Sequence, residues 1–209
     1  MPQVLKDEVR ERILQAALEA FSRSGFVGTT MGGIALQAGM AVANLYRYFA
    51  NKEVLFEAAV PVELALRFED LLEKSARSHA RVTDTSRASD TRAAEQLLDF
   101  WLEHRLEAII LLDRSQGTLH EGFAGRFVQR LVAVSLAEIR VAHPGVVISN
   151  EARVVLTQVF ENTRRTIGAL LENCADESAI RSAIAGFRSY QVAGLTALAA
   201  WIAGEGGEG

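Results

Sequence analysis

From Val9 to Trp201 the apolar side chains recur three and four residues apart, and nowhere do they alternate with the period of two that a half-buried strand requires. That periodicity confines the chain to an all-α fold, of about nine helices. Residues 7–24 place Val9, Ile13, Ala17, Leu18 and Phe21 on one side of an amphipathic helix, and Gly25 stands where such a helix ends. Asn51 is positioned to cap a helix whose apolar stripe runs from Val54 through Leu72 to about Ser75. Pro61, inside that helix, removes one hydrogen bond and is expected to bend its axis. Residues 93–114, 123–142, 150–175 and 177–202 carry four more stripes, the last two joined by a very short turn that makes them antiparallel neighbours. The polar stretch 78–92 reads as a flexible loop and the GEGGEG tail as disordered.

The segment 29–53, TTMGGIALQAGMAVANLYRYFANKE, has a more particular pattern. Ile34, Ala35, Ala38, Leu45 and Phe49 give two short helical faces separated by a turn at Gly39, a helix-turn-helix. Thr29 or Thr30 serves as N-cap of the first. Gly32 and Gly33 in its first turn cost roughly 1 kcal/mol each relative to Ala; they either permit a close backbone approach or are simply tolerated. The second helix carries Asn44, Tyr46, Arg47 and Tyr48 around its core residues, with Lys52 just beyond, and such side chains hydrogen-bond phosphates and base edges. Residues 1–52 therefore read as a helix-turn-helix DNA-binding domain and 53–209 as a helical effector-binding and dimerisation domain.

Charge narrows how such a head can work. The chain carries a formal net charge of -4, and residues 1–60 hold six cationic and six anionic side chains. Indiscriminate coating of nucleic acid is excluded, so any DNA contact comes from placement. Cys174 is the single cysteine, so no intrachain disulfide can form, and it reads as packing before it reads as a redox sensor. The N-terminus lacks the apolar core of a signal peptide, and the apolar run 192–203 is shorter than the roughly 20 residues that span a bilayer. A cytoplasmic protein is expected. Enzymatic readings find no support: the residues three before His79, His104, His120 and His143 are Ala76, Trp101, Gly117 and Arg140, so the Glu-x-x-His pairs of a di-metal bundle are missing, and no phosphate loop or nucleophile motif is present. Neither a metal nor a cofactor is expected.

The two segments ILQAALEAFSRSGFVGTTM and IALQAGMAVANLYRYFANKEVLF, with LYRYF and NKEVLF at their mutual spacing, resemble the tetracycline-repressor-like (TetR/AcrR) transcriptional regulators over about a quarter of the chain. The resemblance implies a homodimer whose two heads bind successive major grooves of a palindromic operator and are released when a small molecule enters the body. It implies phosphate contacts from Tyr46, Tyr48 and Lys52, base or backbone contacts from Asn44 and Arg47, and a phosphate bond from Thr30. The chain departs from the family where Val42 and Ala43 stand at positions that often carry a polar base reader, so readout is expected to be thin, with Val42 or Ala43 touching thymine methyls.

For the effector, polar groups within the apolar stripes of the body are the candidates. Trp101, His104 and Arg105 fall together on one stretch, Arg164 lies at helical spacing from Phe160, and Phe127 adds an aromatic wall. Two cations favour an anionic or polar ligand; the bland reading is that Arg105 and Arg164 pair with Glu103, Glu107 or Glu161. Asp113 and Arg114 read as an internal ion pair at a helix end. The last two helices hold more apolar surface than one inward stripe needs, so Val155, Val159, Ile184, Phe187, Leu195 and Leu198 are expected in a dimer interface built as a four-helix bundle. A DNA-binding dimer without an effector, acting by recruitment, is the alternative, and a helical-bundle enzyme a remote one.

Overall fold

The computed structural model describes residues 3–80 and 87–204, which form ten α-helices and, among those residues, no strand. In order they are α1 (Gln3–Gly28), α2 (Met31–Gln37), α3 (Val42–Leu45), α4 (Lys52–Ala59), α5 (Val62–Ala80), α6 (Arg87–Glu103), α7 (Arg105–Asp113), α8 (Phe123–Ala142), α9 (Asn150–Asn173) and α10 (Glu177–Ala203). The polar stretch expected to be a loop over 78–92 is helical at both ends; its residues 81–86, like the tail 205–209, lie outside the described residues.

Two helices expected to be continuous are each a pair. The bend expected at Pro61 is a break: the pyrrolidine ring drives the preceding residue out of the helical region, and Val60 sits at φ -127, ψ 78. α4 ends there, and the Pro61 carbonyl accepts from the amides of Leu64 and Ala65 at 3.2 and 3.3 Å, which starts α5. The stretch 93–114 breaks at His104, at φ -119, ψ 46. α6 buries Leu97, Phe100 and Trp101, whereas α7 buries Ala108 to Leu112 without interruption. One straight helix keeps a single buried stripe, so the break lets α7 bury every face.

The chain divides into two compact units, Met1–Arg67 with His104–Phe123 and Phe68–Glu103 with Ala124–Gly209. The first unit is the head. Ile13, Ala17 and Phe21 of α1 are fully enclosed with Ile34, Leu45, Leu55, Phe56 and, from mid-chain, Ile110 and Leu111 of α7. Phe21, Phe26 and Phe56 meet with centroids 5.1 to 5.9 Å apart, two of the three contacts edge-to-face. Gly25 turns the chain at φ 69, and its successor Phe26 donates its amide to the Arg114 carbonyl at 3.3 Å, joining the end of α1 to the end of α7.

The second unit packs Phe68 against Phe100, Trp101 and Phe127 with centroids 5.3 to 6.2 Å apart. An ionic ladder links α5 to α8: Arg126 donates to Glu69 at 2.8 Å, and Arg130 reaches both Glu69 and Glu73. α9 and α10 start from side-chain caps, Ser149 accepting from the Ala152 amide at 3.1 Å and Asp176 from the Ala179 amide at 2.9 Å. They lie side by side, and Gln191 donates across them to the Thr163 hydroxyl at 2.6 Å.

Candidate nucleic-acid interface

The candidate interface comprises the turn out of α1, the short helix α2 and the short helix α3. Thr29 is buried and fastens the turn, its hydroxyl placed 2.7 Å from the Gly25 carbonyl and 3.2 Å from that of Ala20. Thr30 is exposed, and it is the N-cap of α2: its hydroxyl oxygen accepts from the Gly33 amide at 3.1 Å, which leaves the hydroxyl proton to donate outward. Gly33 suits that cap, because a Cβ there would stand 3.3 Å from the Thr30 oxygen.

α2 ends at Gln37 with Ala38 as its C-cap, and Gly39 adopts φ +66, where a side chain would be strained. The amides of Gly39 and Met40 fold back onto the carbonyls of Leu36 and Ala35 at 3.1 and 3.0 Å. The chain then enters α3 through Ala41, which has no side-chain cap. α3 is a single α-helical turn, followed by turn structure over 46–48. Leu45 and Phe49 are buried, and the Arg10 guanidinium lies over the Phe49 ring at 5.5 Å to its centroid. These two anchors fix which way the rest points. Val42 is 44% exposed and Tyr46 51%, Ala43, Asn44 and Arg47 are exposed as well, and Tyr48 is half-buried.

Lys52, first residue of α4 after the Asn51 cap, is turned inward. Its ammonium donates to the carbonyls of Phe26 and Thr29, each at 2.8 Å, and sits 4.3 Å from the Phe26 ring centroid. His120 is a further buried polar group that spacing did not single out. Its Nε2 is 2.9 Å from the Val60 carbonyl, so Nε2 carries the proton and donates, while its own carbonyl accepts from the Ser115 hydroxyl at 3.0 Å. No short motif signals such a contact, because 60 residues separate the partners.

The effector candidates divide between the units. Trp101, Phe127, Phe160 and Arg164 lie in the second unit and are buried; His104 and Arg105 lie in the first and are half-buried. Arg164 donates to Glu161 at 3.1 Å, the pairing the bland reading anticipates, yet it is 7% exposed and not at the surface. The Trp101 indole N–H is buried with no hydrogen-bond partner. Among the described residues no three His, Cys, Asp or Glu side chains gather where they could hold a metal ion, and no helix is long and apolar enough to cross a membrane.

Of the interface candidates on α9 and α10, Ile184 is buried, Val159, Phe187, Leu195 and Leu198 are half-buried, and Val155 is exposed. Around them Val154, Tyr190, Val192 and Trp201 are exposed, Tyr190 to 72%. Of the 27 residues of α10 only Ile180 and Ile184 are buried.

Residues 13–59 match the family of bacterial regulatory proteins, tetR family. Over 51 residues the chain is 45% identical to the HTH-type transcriptional regulator RutR of Escherichia coli K12, a match covering 24% of each, so the chain spans about a quarter of the length of that relative. It is 26% identical over 158 residues to the HTH-type transcriptional regulator BetI of Burkholderia cenocepacia, covering 69% of this chain and 80% of BetI. A TetR-like transcriptional regulator from Rhodococcus sp. RHA1, of known crystal structure, aligns over the full length of both chains at 22% identity with a TM-score of 0.45.

Proposed function

We propose, from the match of residues 13–59 to the tetR family of bacterial regulatory proteins, that the protein is a ligand-responsive transcriptional regulator, a repressor, that binds a palindromic operator as a homodimer. The observation that carries this reading is the exposure of Val42, Ala43, Asn44, Tyr46 and Arg47 on one short segment held to the head by the buried pair Leu45 and Phe49. Arg47 and Asn44 are the polar readers, Asn44 matching the N6 and N7 edge of adenine, and Val42 and Ala43 supply apolar contact to thymine methyls. Thr30, Tyr46 and Tyr48 hold phosphates, the Thr30 hydroxyl donating from the start of α2.

The exposed apolar flank of α9 and α10 supports dimerisation, since a surface of Tyr190, Val192, Trp201, Val154 and Val155 beside Phe187, Leu195 and Leu198 is costly to leave in water. Two copies joined there as a four-helix bundle set the separation of the heads to successive major grooves, about 34 Å. The second unit supports an effector site through the aromatic group around Phe68 and the unpaired Trp101 N–H, which calls for an acceptor atom such as a carbonyl or carboxylate oxygen on the ligand. Ligand binding then shifts the dimer toward a state whose heads no longer match the groove spacing. The protein acts in the cytoplasm, and no cofactor enters the mechanism.

Fluorescence-anisotropy titration of labelled duplexes tests the reading. Binding that prefers one duplex over random competitor, weakens steeply with salt and is reversed by a compound shifting the melting temperature supports it. Equal binding to all duplexes removes the operator, and release by no compound leaves the recruitment alternative. Calorimetry showing preference for cationic compounds refutes the anionic or polar class of effector.

A further inference from the structure

Lys52 occupies a position that electrostatics alone does not favour. As the first residue of α4 it stands at the positive end of that helix, where a cation is repelled, with Glu53 beside it as the complementary charge. Its partners explain why it is there. The ammonium donates at 2.8 Å to the carbonyl of Phe26, just past the break in α1 at Gly25, and at 2.8 Å to that of Thr29, in the link to α2. Both carbonyls lie beyond the break in α1 at Gly25, in the turn that leads to α2, and their oxygens aimed at the ammonium offset the repulsion from the start of α4. An ammonium has three donors; two end on these carbonyls, and the Phe26 ring covers the ion 4.3 Å from its centroid.

We propose that Lys52 serves DNA recognition as a positioning residue, a strut that ties the connection between α1 and α2 to the first turn of α4, and that it is not a phosphate ligand. The inference rests on the DNA-binding reading. What the strut positions is Thr30, the next residue after the Thr29 carbonyl it holds, and through the Thr30 cap the amide of Gly33 and the start of α2. The other fastenings of this turn are local: the Thr29 amide bonds the Phe26 carbonyl at 3.3 Å, and the Thr29 hydroxyl bonds Gly25 and Ala20. Lys52 brings a fastening from 23 residues away, so it alone of these references the turn to α4.

The test is Lys52→Met, which keeps the apolar stem and removes charge and donors, measured in the full chain well below its melting temperature. Without DNA, amide exchange over residues 29–33 is expected to rise by about tenfold or more, the factor that corresponds to one charged hydrogen bond lost, while α7 is unchanged. On a duplex selected from random DNA by the wild-type protein, affinity falls but the slope of log affinity against log salt is retained, whereas loss of a cation that neutralises a phosphate would flatten that slope by about 0.9 per head. Unchanged exchange over 29–33 together with a slope flattened by about 0.9 per head makes Lys52 a phosphate ligand and overturns the proposal. Lys52→Arg provides the check if the Met variant does not fold. The charge survives, but a planar fork cannot seat between two carbonyls and a ring, so exchange rises and affinity drops at constant slope; wild-type affinity and exchange in that variant refute the strut. If the wild type prefers no duplex, the DNA-binding reading fails, and the exchange measurement reports on Lys52 independently.

Discussion

Replacing His120 by Phe isolates one hydrogen bond at the break between α4 and α5. The imidazole is 2% exposed, packs 6.1 Å from the Phe56 ring, and donates from Nε2 to the Val60 carbonyl at 2.9 Å. Phe keeps an aromatic ring beside Phe56 and removes the donor. Val60 precedes Pro61, whose nitrogen has no proton, and Val60 itself is out of the helical region, so no helical donor stands by to replace His120. The variant therefore loses the net value of the bond and leaves an acceptor buried, about 1–3 kcal/mol in all. For a chain of this size each kcal/mol lowers the melting temperature by roughly 2–4 °C, so a fall of roughly 2–12 °C is expected. Circular dichroism melts and urea titrations of the full chain measure it. His120→Gln, whose amide nitrogen also donates, should lose less than His120→Phe. A His120→Phe protein that melts with the wild type, or a Gln variant less stable than the Phe variant, would refute the claim that this bond secures the break.

Other perturbations follow from the same geometry. Arg47→Ala should weaken binding to the selected duplex by about 1–3 kcal/mol in an anisotropy titration if Arg47 reads a base, and unchanged affinity removes it from the interface. Thr30→Ala should cost about 1 kcal/mol of stability by uncapping α2, read by urea unfolding, with weaker DNA binding beside it. Leu198→Asp places a charge in the apolar flank of α10 and should give a monomer in light scattering at micromolar concentration where the wild type gives the proposed dimer; a variant that stays dimeric locates the interface elsewhere, and a monomeric wild type refutes the dimer. Trp101→Phe removes a buried N–H that has no partner, so its stability in urea should stay within about 1.5 kcal/mol of wild type, and a larger loss would reveal a hidden acceptor.

Local chemistry made the head legible. Leu45 and Phe49 four residues apart, a glycine at the turn and Asn51 three residues before the Val54 amide it accepts from at 2.8 Å are all set by neighbours along the chain. The caps of α9 and α10 and the limits of α8 follow similarly from Ser149, Asp176 and the His143–Pro144–Gly145 stop. What spacing did not show is set by partners far away in sequence. No proline or glycine marks the break at His104; it comes from α7 burying all its faces in the head, which no single stripe announces. Pro61 was visible, but whether it bends or ends a helix depends on Val60, whose carbonyl is taken by His120. Lys52 reads on paper as a surface cation near DNA, and only the two carbonyls it meets reveal its inward direction.

Sequencing of duplexes selected from a random pool by the 209-residue chain tests the central claim most directly, because it reads both the grip of one head and the spacing of two. Enrichment of an inverted repeat whose half-site centres lie one helical turn apart, or a whole multiple of it, about 10 base pairs each, is the expected result. A pool that remains random after repeated rounds, or one enriched for a single half-site with no partner, would contradict a paired, groove-spaced DNA-binding protein.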